Sequence, residues 1–154
     1  MEQTSRTRRV LKETLLWLFI INLGIAFGAG LYEGRVVVPG WSGTSPSLWP
    51  NTGILFWAYV TTVPLTLLTI ANAVAAWTTK GPRRRWYIVA VTLIIIERAV
   101  TFSYFIPTMI GLMDSNSLSQ GEIDRVLSQW EALNYGRHLL NLAGWLAALK
   151  VLTR

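Results

Sequence analysis

The chain has no cysteine, one histidine and few charges: only 14% of its 154 residues are Asp, Glu, Lys or Arg, against about 25% in a typical soluble domain. Without cysteine there is no disulfide, no thiol redox pair, no thiolate zinc or iron–sulfur site and no cysteine nucleophile. One histidine per chain cannot supply a bis-His haem, a three-His metal centre or the paired Glu-x-x-His motifs of a di-iron bundle. No metal site and no cofactor are therefore expected. No segment alternates apolar and polar residues as a membrane-barrel strand does.

What the chain has in quantity is apolar residues, 52% of the total, and eight tryptophans. A bilayer core of ~30 Å needs ~20 helical residues, and four apolar blocks meet that need, at about residues 15–35, 54–77, 86–113 and 132–152. The predicted fold is all-α, a single integral membrane domain over residues 1–154 built as a four-helix transmembrane bundle. Turn formers and tryptophans between Pro39 and Pro50 predict an irregular outer loop after the first helix. Ser119, three residues before Glu122, resembles a capping box and predicts a short outer helix before, or continuous with, the fourth. The first block exceeds the roughly 7–15 apolar residues of a secretory signal, so it reads as a retained helix.

The net charge of +6 does not point to nucleic acid, because the basic residues sit beside apolar spans instead of along a polar face. Arg6, Arg8, Arg9 and Lys12 precede the first span, Lys80, Arg83, Arg84 and Arg85 separate the second from the third, and Lys150 and Arg154 close the chain. The segment from Val36 to Asn51 has none. By the positive-inside rule both termini face the cytoplasm, in a multi-pass protein of the plasma or inner membrane. Trp41, Trp49 and Trp130 are expected at the opposite interface.

Charged groups at membrane depth cost ~2.5–3.5 kcal/mol each on insertion scales, so they tend to face a protein interior. Trp130, Asn134, Arg137 and Asn141 follow one another at spacings of four, three and four, which places them on one helical face, continued by the small residues Gly144 and Ala148. This stripe predicts a polar pocket in the outer half of the bundle. The third span carries Glu97 and Arg98 near its middle, then Thr101, Tyr104 and Pro107. Sequence neighbours point about 100° apart on a helix, so Arg98 is assigned to the pocket and Glu97 to a helix interface, with a structural ion pair as the open alternative for the two. Asn22, Ala26, Gly30 and Glu33 form a stripe on the first span, whose small residues suit close helix contact. Glu33 is placed to balance Arg98 or Arg137. His138, the one side chain that titrates near neutrality, points off the fourth-span stripe.

Gly30-Leu31-Tyr32-Glu33, then Val36-Val37-Val38-Pro39, with Trp130-x-x-x-Asn134-x-x-Arg137 opening the fourth span, resemble the anthrone oxygenase-like integral membrane family, many of whose members are a domain of unknown function. The resemblance covers most of the chain from Leu15 onward. It implies a cofactor-independent oxygenase that oxidises an anthrone to an anthraquinone with molecular oxygen. On that reading Arg98 and Arg137 stabilise the substrate anion and His138 or Glu33 takes the proton. Trp130 and Tyr104 stack on the rings, Asn134 orients the substrate oxygen, and Asn141 and Asn22 complete the binding residues. The expected partners are the lipid bilayer and a lipophilic, aromatic small molecule. The competing class is a small proton-coupled transporter or non-enzymatic membrane subunit using Glu33 or Glu97, commonly working as a homodimer.

Overall fold

The computed structural model describes residues 2–49, 55–115 and 118–154, and these are helical apart from short turns and the outer loop. The predicted starts at Ile54 for the second span and Pro50 for the end of the loop lie outside the described residues. Helices α1 (Glu2–Tyr32), α2 (Val63–Trp77), α3 (Arg83–Val100), α4 (Ile106–Met113) and α5 (Gln120–Leu152) form four rods, α3 and α4 being joined in one. Neighbours in the chain pack side by side, and α1 closes the ring against α5. The rods run up and down alternately. Lys Nζ of Lys12 in α1 donates to the Thr78 carbonyl at the end of α2 (3.1 Å), and Arg83 Nε at the start of α3 donates to the Val151 carbonyl at the end of α5 (3.1 Å).

Helix α1 starts far ahead of the predicted span and carries its basic residues on helical turns. Helix α5 starts at Gln120 instead of near Ala132. The capping box predicted at Ser119 is present: its N–H and hydroxyl both donate to the Glu122 carboxylate, at 2.9 and 2.6 Å. Those two bonds hold the exposed Glu122 carboxyl below its ordinary range. At 1.5 Å per residue the continuous α5 is roughly 50 Å long, more than a bilayer core requires, and its first turns pack Ile123 and Leu127 against Val38, Trp41 and Leu112.

Three stretches among the described residues are long and apolar enough to cross a membrane: Arg6–Trp41, Trp57–Trp77 and Arg83–Met113. The fourth rod is less apolar because its inward face carries Asn134, Arg137, His138 and Asn141. The distribution of side chains fits a membrane protein. Trp17, Ile21, Leu67, Ile70, Leu139 and Leu146 are exposed, whereas Asn22, Thr69, Asn72, Glu97, Arg98, Asn134 and Asn141 are buried. A water-soluble bundle shows the reverse; a bundle in lipid turns its polar groups toward itself.

Three π-turns interrupt the rods, at Glu33–Val37, Trp57–Thr62 and Thr101–Phe105. Each ends two residues before a proline: Pro39, Pro64 and Pro107. Proline has no N–H and its ring collides with the carbonyl four residues back. The residue ahead of each proline therefore bonds five residues back: Val38 N–H to the Glu33 carbonyl, Val63 to Ala58 and Ile106 to Thr101. At Pro107, as at the other two prolines, the deformation takes the form of a π-turn, a feature frequent near functional sites.

The core has two parts. Leu16, Phe19, Leu23, Leu65, Ala90, Ile94 and Ala148 pack the half nearer the termini. Val38, Trp41, Trp49, Phe105, Leu112, Leu127 and Trp130 pack the other end. The tryptophans expected at the outer interface belong to this second part of the core. Trp41 and Trp49 stack at 4.7 Å and 12°, Trp49 Nε1 donates to Thr44 Oγ1 (3.0 Å), and both rings are buried, so the outer loop folds inward as a lid. Trp130 is buried with them, its Nε1 donating to the Phe105 carbonyl (3.2 Å).

Candidate functional site

The three π-turns lie at the same end of the bundle and bring Glu33, Trp57, Thr101 and Phe105 around the upper part of α5. A cavity of about 230 Å³ lies between them, bounded by Met109 and Met113 of α4 and by Trp130 and Arg137 of α5. Its walls are mainly apolar, with the Glu33 carboxylate and the Arg137 guanidinium as the charged groups. Val63 and Ile110 also line it and are exposed on the apolar outer surface, so it opens sideways between α2 and α4.

Arg137 is held from several directions. Its Nε donates to Asn134 Oδ1 at 2.7 Å, one turn earlier on the same helix. Its guanidinium carbon lies 4.9 Å from the Phe105 ring centroid and 6.0 Å from that of Trp57, within cation–π range. It is attracted by Glu97 and Glu33 and repelled by Arg98. These two acids and two guanidiniums form a cluster of zero formal charge, which is the condition under which four ionisable groups are tolerated at such depth.

Glu97 and Arg98 do not divide between pocket and neighbouring helix as the sequence suggested. They pair with each other. Arg98 Nε donates to Glu97 Oε2 at 2.6 Å and Nη2 to Oε1 at 2.7 Å, and Thr101 Oγ1 donates to Oε1 at 3.1 Å. The two Cα–Cβ directions diverge, but long side chains can fold back over one turn to meet. Both residues are buried, and Arg98 Nη1 has no hydrogen-bond partner among the described residues. Arg98 lies behind the cavity wall, not on it.

The remaining candidates fall in distinct places. Trp130 lines the cavity and Asn134 sets the Arg137 side chain. Tyr104 is half-buried and meets Phe105 edge to face at 5.2 Å, outside the cavity lining. Asn22 donates to the Val60 carbonyl at 3.0 Å. That carbonyl lies four residues before Pro64, which has no N–H to offer it, so Asn22 replaces the missing donor. Asn141 is buried deeper along the α5 stripe. His138 is buried against α1, its ring so close to Gly30 that a β-carbon there would overlap Cε1. The stripe thus faces the interior, while His138 occupies the α1–α5 contact.

Trp57, Phe105, Met109 and Met113 belong to the site and were not singled out from the sequence. Their signal is the pair of prolines, Pro64 and Pro107, each following an aromatic-containing turn near the outer end of a span. Among the described residues no three His, Asp or Glu side chains converge as a metal site would require. The arrangement puts one carboxylate and one guanidinium, a potential proton acceptor and a fixed cation, on the wall of a mainly apolar cavity. No family model, curated protein or solved structure matches this chain.

Proposed function

We propose that the cavity binds a lipophilic aromatic molecule entering from the bilayer, and that the protein is a cofactor-independent oxygenase of anthrone-like substrates, as the resemblance in Gly30–Glu33 and Trp130–Arg137 implies. The observation that supports it best is one carboxylate and one guanidinium lining an otherwise apolar cavity open toward lipid. Glu33 removes a proton from the activated methylene, and Arg137 stabilises the resulting enolate oxygen in a site of low dielectric. Trp130, Trp57 and Phe105 provide ring faces for the substrate. The electron-rich enolate reacts with molecular oxygen; the methylene becomes a carbonyl, and the second oxygen atom leaves as water with the two hydrogens. On the same reading the chain crosses the membrane several times with its basic, terminus-bearing end in the cytoplasm.

Oxygen uptake by detergent-purified protein supplied with an anthrone tests the reading. Arg137→Leu is expected to lower turnover by two orders of magnitude or more, roughly the loss on removing one oxyanion donor, with helix content unchanged. Glu33→Gln is expected to do the same to proton abstraction. Full activity in Arg137→Leu would remove the assignment. Proton-coupled flux in vesicles without oxidised product would instead make Glu33 the coupling carboxylate of a small exporter. Glu97, locked to Arg98, is the poorer choice for that role.

A further inference from the structure

A wider cavity than the one around Arg137 lies at the other end of the molecule, where the chain termini and the α2–α3 turn meet. It measures about 690 Å³ and is lined by Arg8, Arg9, Lys12, Lys80 and Arg83, with Glu13 as its one acid. Arg9 Nε lies 3.2 Å from Glu13 Oε1, so the acid is neutralised locally and four cations remain without an opposite charge. Lys12 and Arg83 are fixed by their bonds to the Thr78 and Val151 carbonyls, which leaves their other N–H groups for the cleft. Arg8 and Lys80 are exposed and have no protein partner among the described residues. The floor is formed by Leu16, Tyr87 and Val151, all buried.

A topology signal requires only that basic residues lie on one side of the membrane. Here cations from three segments converge on one concavity, two of them held by backbone bonds, above an apolar floor. We propose that this cleft is a binding site for a phosphate-bearing anion, its charge met by Arg8, Lys12, Lys80 and Arg83. Its place at the end of the apolar rods fits the phosphate of an anionic lipid, with the acyl chains lying along the exposed outer surface. A soluble phosphate is the other source of the same group. The proposal does not depend on the reaction assigned to the opposite end.

Native mass spectrometry of the full chain in neutral detergent, offered short-chain phosphatidylglycerol, phosphatidylcholine or inorganic phosphate, tests it. The wild type is expected to retain phosphatidylglycerol over phosphatidylcholine, and the double variant Arg8→Gln/Lys80→Gln to lose affinity about 30-fold, the weight of two juxtamembrane cations. Because neither side chain has a hydrogen bond or ion pair among the described residues, thermal melting should stay unchanged. Binding of inorganic phosphate, lost in the double variant and without lipid preference, would support the site and identify the soluble source. Equal retention of both lipids with no phosphate binding, or an unaltered double variant, overturns the proposal.

Discussion

Glu97 and Arg98 show how far a single residue depends on its partner. A carboxylate or guanidinium alone in this interior would be strongly disfavoured, and their fork-shaped pairing at 2.6 and 2.7 Å makes both acceptable. Breaking such a pair costs more than the pair is worth, because one charge stays behind unpaired. Glu97→Gln is therefore expected to destabilise the protein by about 3–5 kcal/mol, measured by unfolding in mixed micelles. Replacing both residues with apolar ones of similar size should cost much less. If the single variant is as stable as the wild type, the pair carries no weight in the fold. The sequence made both residues conspicuous and left a structural ion pair open beside a pocket role for Arg98; side-chain conformation, which spacing does not specify, decides for the pair.

At the scale of the element, proline dictates where the rods deform. The Val60 carbonyl, deprived of a donor by Pro64, is served by Asn22 from α1. A substitution at either place should therefore alter the value of the other. Asn22→Ala alone is expected to cost about 1 kcal/mol. In the background of Pro64→Ala, where residue 64 regains its N–H, the same change should cost little, and a double-mutant cycle in detergent measures the difference. Strict additivity would refute this account of Asn22. The prolines, the capping box and the apolar blocks are local properties, so the rods and the start of α5 were readable from the chain. The placement of Trp41 and Trp49 at the outer end followed a general preference of tryptophan for interfaces. Their mutual stacking and the folding back of the loop depend on residues distant in sequence.

Across the whole molecule, small residues set how closely the rods approach. A β-carbon on Gly144 would lie 2.5 Å from Ile94 Cδ1 and 2.9 Å from its Cγ1, so α5 can approach α3 this closely only with a small residue at this position. Gly144→Val is expected to destabilise the bundle by roughly 1–3 kcal/mol through overpacking. Ile94→Ala opens a void at the same place. The double variant should be more stable than the sum of the two single losses, as thermal melting of the purified proteins would show. The close contact of Gly144 and Ala148 was foreseen from their size, and Gly30 serves likewise against His138. At Gly28 of the same helix, by contrast, an added side chain would meet open space.

Composition and periodicity alone determined the class of this protein, because lipid solvation demands long apolar helices and turns polar residues inward wherever they occur. They also determined that the face bearing Trp130, Asn134 and Asn141 would be interior, since helical spacing is a property of the backbone. Which polar groups meet was decided by tertiary structure. Glu33 and Arg137 share a cavity because three π-turns align at one level, whereas Arg98 is withdrawn by its own neighbour and Asn22 by a carbonyl on another rod. Such choices follow from distances between helices, and those distances are fixed only when all four rods pack.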